Sequence, residues 1–223
     1  MSRVVIDIET LGSPIDSFDE VQQEYLLKFT ETDLEREEAI QKLSLYPTTA
    51  QIIAIGMLNP DTNHGKVMFQ ADEKREYSSA DGSIQFRAGN EIEILGQFWH
   101  DIGHYSLFIT FNGRGFDCPF LMLRSAILDV QPTRNLMPYR YDASIHCDLL
   151  DQFTFYGALR KFNLDFYCKA FGIESPKAQG ITGLDMGKLF REKRYKEIAE
   201  YNLGDLRATA ELYRRWDKRL NFG

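Results

Sequence analysis

The sequence predicts an α/β domain in which helices flank a mixed β-sheet. Three observations carry that expectation. Val4-Val5-Ile6-Asp7-Ile8 is a short β-branched run of the kind that forms a buried strand. Through the middle of the chain the apolar positions alternate between a strand period of two and a helix period near 3.6. The last third is mostly helical and ends in a long amphipathic segment, with Ala199, Leu203, Leu206, Ala210 and Tyr213 at alternating steps of four and three.

In chain order, residues 3–9 read as the first strand, 51–58 as the second, and Lys66 to Gln70 as a third. Between the first two lies a charged helical insertion, residues 13–50. Val21, Tyr25, Leu26 and Phe29 form one apolar stripe there, and Leu34, Ala39, Ile40 and Leu43 another. The insertion is too short to bury a core of its own, so residues 1–223 are read as one domain. Residues 72–89 are polar and carry Gly and Ser, which suggests a loop. A helix follows from about Asn90 to Ile102, then a strand from Ser106 to Phe111 and an Asn112-Gly113-Arg114-Gly115 turn. The next helix carries Phe120, Leu121, Leu123, Ile127 and Leu128, and the final helix covers about Lys193 to Leu220.

Of the 223 residues, 43% are hydrophobic and 26% charged, as in an ordinary globular domain. No apolar run approaches the roughly 18 residues that span a bilayer, and the segment ahead of the first strand has no export-signal pattern. Cys118, Cys147 and Cys168 are odd in number and widely spaced, which argues against a disulfide framework or a structural zinc. A cytoplasmic setting is therefore expected. The net charge of −7 is unfavourable for gripping duplex phosphates. The acids are unevenly spread, however: residues 16–45 hold nine acids and three bases, whereas residues 188–219 hold ten bases and six acids.

Four carboxylates stand where packing would not choose them. Asp7 and Glu9 are two apart, so on a strand they share a face while Val4, Ile6 and Ile8 take the other. Two acids on one face of an apolar strand repel each other unless that face is an exposed sheet edge or something positive sits against it. Divalent cations are the natural candidate, and paired cations between carboxylates suit phosphodiester cleavage. Asp117 follows the Gly-rich turn, with Pro119 in the first helical turn after it, so it could cap that helix. The strand–turn–helix context also aims it at the sheet end where Asp7 and Glu9 lie. Tyr201 and Asp205, four apart, share one helical face.

Together these segments resemble the DEDD superfamily of 3′–5′ exonucleases. Val5-Ile6-Asp7-Ile8-Glu9-Thr10 is similar to the first exonuclease motif. Asn112 to Asp117, running on into Cys118-Pro119-Phe120-Leu121, is similar to the second motif of the proofreading domains of family B DNA polymerases. Tyr201-x-x-x-Asp205 resembles the third motif in its tyrosine form, because Glu200 stands where the histidine form carries His. The resemblance implies a ribonuclease-H-like mixed sheet flanked by helices, here with a helical insertion after the first strand. It implies metal-dependent hydrolysis from the 3′ end of single-stranded DNA, with RNA as the alternative substrate and nucleoside 5′-monophosphates as products. Asp7, Glu9, Asp117 and Asp205 would hold two Mg²⁺ or Mn²⁺ ions, and Tyr201 would orient the attacking water. Thr10, Leu11 and Asn112 would lie against the terminal nucleotides. The rival reading is a non-catalytic module that binds nucleic acid or protein on the same fold, and the acidic insertion is a candidate site for a protein partner.

Two further patterns are set aside. His100 and His104 have a zinc-compatible spacing but no third ligand nearby, which favours a surface helix end. Gly183-Leu184-Asp185-Met186-Gly187-Lys188 is one residue short of a phosphate loop, and Leu189 replaces its Ser or Thr.

Overall fold

The computed structural model describes residues 2–174, 180 and 182–222. Its strands are β1 (Arg3–Gly12), β2 (Ala50–Leu58), β3 (Gly65–Gln70), β4 (Glu76–Ser78), β5 (Ile84–Gly89), β6 (Leu107–Thr110) and β7 (His146–Asp148). They form one sheet in the order β4-β5-β3-β2-β1-β6-β7. β1 pairs antiparallel with β2 and parallel with β6, so the first strand lies inside the sheet. The expected mixed α/β architecture is what the chain adopts.

The helices are α1 (Glu20–Leu27), α2 (Asp33–Lys42), α3 (Glu91–Ile102), α4 (Asp117–Ile127), α5 (Leu149–Phe153), α6 (Leu164–Ala170), α7 (Met186–Arg191) and α8 (Tyr195–Arg219). Alternation along β1 divides the core. Val4, Ile6 and Ile8 pack with Ile94, Phe98 and Trp99 of α3 and Phe120 and Leu121 of α4. Val5 faces the other layer, with Ile198, Leu206 and Tyr213 of α8. α3 opens on a reciprocal cap in which the Asn90 side chain accepts from the Glu93 amide and the Glu93 carboxylate accepts from the Asn90 amide.

Two expectations change. Residues 72–89 are not all loop, because β4 and β5 lie within them. Ile84, Phe86 and Ala88 are buried while Gln85 and Arg87 are exposed, a period of two obscured by the preceding polar turn. That turn is tied by Asp81, which accepts from the Ser79 hydroxyl and from the amide and hydroxyl of Ser83, and Gly82 takes a positive φ of 72°.

The insertion is helical, as its spacing suggests, but its first apolar stripe does not pack inward. Val21, Tyr25 and Phe29 are 76%, 78% and 87% exposed, and neither α1 nor α2 buries any residue. Both helices stand on local capping boxes instead, Asp19 with Gln22 and Thr32 with Glu35. No described helix is long and apolar enough to cross a membrane.

Candidate active site

Asp7 and Glu9 project from β1 toward α8, the side opposite Ile6 and Ile8. A register shift between Glu9 and Thr10 marks a bulge just beyond them. α8 can reach this face because Asp7 sits opposite Gly56 in β2. A Cβ at Gly56 would lie 2.1 Å from Asn202 Oδ1 and 2.4 Å from Leu206 Cδ1, so only glycine admits the helix at this depth. Asn202 Nδ2 then donates to Asp7 Oδ2 at 2.8 Å. Oxygens of Asp7, Glu9 and Asp205 come within 4.8 Å of one another.

Asp117 arrives from the opposite layer. Asn112 has a left-handed φ of 62°. A Cβ at Gly113 would meet Thr110 Cβ at 2.4 Å, so the turn requires that glycine, while one at Gly115 would meet Asn112 Oδ1 at 2.7 Å and displace the end of that side chain. The Asp148 carboxylate ties it down, accepting from the amides of Asn112 and Arg114 at 3.0 and 2.9 Å, and from Leu150 at 3.0 Å. α4 begins at Asp117, but its carboxylate is not the cap; the N-cap position is Phe116, which makes no side-chain bond. Asp117 Oδ1 accepts instead from the Ile8 amide at 3.0 Å. β6 pairs with β1 only as far as Val5, so that amide lies beyond the end of the ladder. The bond pins Asp117 beside Asp7 and Glu9, although it stands outside the tight group of three.

The electrostatics of this cluster are unfavourable as it stands. Burial pushes the Asp7 carboxyl well above the usual range, and Asp117, Asp205 and Glu9 push it further. Glu9 is raised in the same way, by burial and then by Asp205 and Asp117. Burial lifts Asp117 to about 7. The Tyr201 hydroxyl is also raised, by burial first and then by Asp205, Glu9 and Asp7, so it is held protonated and can donate. Asp7, Glu9 and Asp117 form no ion pair with Lys, Arg or His among the described residues. Carboxylate oxygens clustered without a counter-charge are the donor set that hard divalent cations take, so the residues present fit such ions.

Of the residues expected at the terminal nucleotides, Thr10 is buried and its hydroxyl donates to the Ser44 carbonyl at 2.7 Å. Leu11 is partly buried against the α8-side core, and Asn112 is partly exposed at the turn. Two supporting residues escaped the sequence reading. Asn202 is a polar residue at a fully buried helical position, between Ile198 and Leu206 at steps of four. That intrusion into an apolar stripe was the available signal. Asp148, at the end of the buried β7 triplet, gave a weaker one. His100 is exposed and its Nδ1 lies 3.0 Å from Asp101, with no metal cluster around it among the described residues.

The comparisons with known proteins bear on the fold and the family. Residues 48–219 match the family described as "Predicted 3′-5′ exonuclease related to the exonuclease domain of PolB". β1 and the α1–α2 insertion lie outside the matched residues. DNA polymerase 1 of Saccharolobus solfataricus is 28% identical over 178 residues, covering 72% of this chain and 19% of the polymerase. DNA polymerase 1 of Sulfolobus acidocaldarius is 28% identical over 156 residues, covering 63% and 17%. The chain thus spans about a fifth of the length of these relatives. Among solved structures, the family B DNA polymerase of Pyrobaculum calidifontis superposes with a TM-score of 0.60 at 16% identity, over 96% of this chain and 24% of that one. That likeness fixes the fold as ribonuclease-H-like. The matched segment carries strands β2 to β7, the Asn112–Asp117 turn and α8, and the chain belongs to the family of 3′–5′ exonucleases related to the exonuclease domain of PolB.

Proposed function

We propose that the chain hydrolyses phosphodiester bonds one nucleotide at a time from the 3′ end of single-stranded DNA. The observation that carries the reading is the convergence of Asp7, Glu9 and Asp205, with Asp117 beside them, and the lack of a Lys, Arg or His paired to Asp7, Glu9 or Asp117 among the described residues. Asp7, Glu9, Asp117 and Asp205 would hold two divalent cations, Mg²⁺ or Mn²⁺. When bound, such ions supply nucleophilic hydroxide near neutral pH and stabilise the leaving 3′-oxygen.

The chain's own residues supply the positioning. Asn202 fixes one oxygen of Asp7, leaving the other for a ligand. Tyr201, held protonated, donates a hydrogen bond that orients the attacking water rather than removing its proton. The product is a nucleoside 5′-monophosphate. Thr10 shapes the floor through its bond to Ser44, and Leu11 and Asn112 offer an apolar and a polar contact to the terminal nucleotide. The three buried free thiols suit a reducing, cytoplasmic setting. The exposed apolar stripe on α1, ringed by acids, suits a protein partner with a basic rim.

The test incubates 5′-labelled single-stranded DNA, and RNA of the same sequence, with Mg²⁺, Mn²⁺ or EDTA. A metal-dependent ladder that shortens from the 3′ end is expected, faster on DNA. Faster loss of RNA would reassign the substrate, and full-length strands throughout would remove the catalytic reading.

A further inference from the structure

The chain carries a second feature suited to nucleic acid, joined to the Asn112–Gly115 turn through Arg114. Its guanidinium donates to the carbonyls of Pro138 and Tyr139 at 3.0 and 3.3 Å. The segment it holds presents Tyr139 and Tyr141, 73% and 59% exposed. Their rings meet edge to face with centroids 5.6 Å apart, and Tyr141 meets Tyr156 at 4.7 Å. Phe155, itself exposed, and Tyr156 have positive φ values of 48° and 58°. Two consecutive bulky residues in the left-handed region are a strained arrangement that packing alone does not call for. The conformation is held by the Tyr156 amide donating to the Asp151 carbonyl at 2.7 Å and by Gln152 Nε2 donating to the Tyr156 hydroxyl at 2.9 Å.

The charge of this surface opposes that of the whole chain. Arg160 and Lys161 follow the same tight turn, are exposed, and form no ion pair among the described residues. Arg114 bonds only carbonyls through its guanidinium and keeps its charge. Arg140 is paired with Asp151, while Asp142 accepts from the amide and hydroxyl of Ser144 and remains an anion. The result is a row of aromatic rings held by Arg114, with Arg160 over the Phe162 ring and Lys161 following the same turn.

We infer that Tyr139, Tyr141 and Tyr156 form a stacking platform for the bases of a single strand whose 3′ end occupies the carboxylate centre. The inference rests on the exonuclease reading and adds the path of the strand upstream of the cut. Rings of this kind accept any base through its π-face, and neighbouring cations follow the phosphates. A basic or purely apolar partner would have no use for cations such as Arg114 and Lys161, whereas a polyanionic strand would.

The test compares wild type, Tyr139→Ala/Tyr141→Ala and Tyr139→Phe/Tyr141→Phe. Binding of a fluorescein-labelled oligothymidylate of twelve nucleotides is followed by anisotropy in EDTA. Cleavage of that oligomer and of a thymidine dinucleotide is followed with Mg²⁺. The double alanine variant should bind the long strand about tenfold or more weakly. It should show the loss in KM rather than kcat, and it should turn over the dinucleotide as wild type does. The phenylalanine variant, which keeps the rings, should restore binding. Equal affinity of the alanine variant and wild type would overturn the platform while leaving wild-type cleavage to support the exonuclease. Equal loss on dinucleotide and long strand would also overturn it, because the tyrosines would then act on the site rather than on the strand. Absence of wild-type cleavage would sink the exonuclease reading, and the anisotropy would still decide the platform.

Discussion

The fold buries carboxylates in two different ways. Between α3 and α4, Glu91 is buried but fully answered: it receives Arg124 Nε at 2.8 Å, the second Arg124 nitrogen at 3.0 Å and the Ile52 amide at 2.7 Å. Asp151 is treated likewise by Arg140, through bonds of 2.8 and 2.5 Å. At the sheet centre, Asp7, Glu9 and Asp117 are buried against one another, with an asparagine and a backbone amide in place of an arginine. Asp148, also buried, is answered by three backbone amides instead of a cation. Asp7, Glu9 and Asp117 lack an arginine or lysine among the described residues, and under the proposed function divalent ions would supply the missing charge.

That difference is tested hardest by removing one acid of each kind. Asp7→Ala should abolish 3′–5′ cleavage, on the order of a thousandfold or more as for other groups that act on the transition state. The metal-free fold should remain at least as stable as wild type, because the substitution relieves repulsion. Retained activity in that variant would remove Asp7 from the site. Glu91→Ala should do the reverse. Stranding Arg124 should lower stability by roughly 3–5 kcal/mol in denaturant unfolding, with turnover per folded molecule unchanged.

The centre also sets a pH dependence of a particular sign. Asp117 is raised to about 7 in the folded chain, against about 3.9 for an unperturbed aspartate. The native state therefore holds more protons than the unfolded state between those values. In EDTA, the Asp117 contribution to stability should fall as pH rises from about 4 to about 7 and then level off. The slope is up to about 1.4 kcal/mol per unit for each such group. Asp7 and Glu9, also raised, act in the same direction. Asp117→Asn keeps an oxygen to accept from Ile8 and should flatten the profile. Mg²⁺ or Mn²⁺ at pH 8 should raise the melting temperature of wild type more than that of Asp7→Ala. Metal-independent melting would argue against any cation site.

Much of this was legible beforehand because it rests on local pattern. Alternation along β1 puts Asp7 and Glu9 opposite Ile6 and Ile8 whatever the rest of the chain does. The two glycines around Arg114 mark a turn that a Cβ at Gly113 would break. What was hidden depends on contacts distant in sequence. That Asp117 bonds Ile8, 109 positions away, rather than capping its own helix follows from where β6 stops pairing, and no spacing reveals that. Asp148 holding the turn 34–36 residues earlier is hidden for the same reason. β5 was missed because its period of two begins abruptly after a polar turn.

The insertion supplies the third environment, in which acids are neither paired in a core nor gathered for a cation but solvated. Its apolar residues follow the same logic, since a stripe that packs against the domain and a stripe left open have the same spacing in sequence. With Val21, Tyr25 and Phe29 more than three-quarters exposed, Val21→Ser/Tyr25→Ser/Phe29→Ser should change unfolding free energy by no more than about 0.5 kcal/mol per site. It should leave cleavage of a short single strand unchanged, because among the described residues α1 makes no bond to the carboxylate centre and stands on its own Asp19–Gln22 cap. A loss of several kcal/mol would mean that the stripe packs against the domain in solution. An unchanged fold with reduced activity would place the insertion at the substrate entrance. If both are unchanged, the stripe serves neither the domain core nor the chemistry, as expected of the partner surface proposed for it.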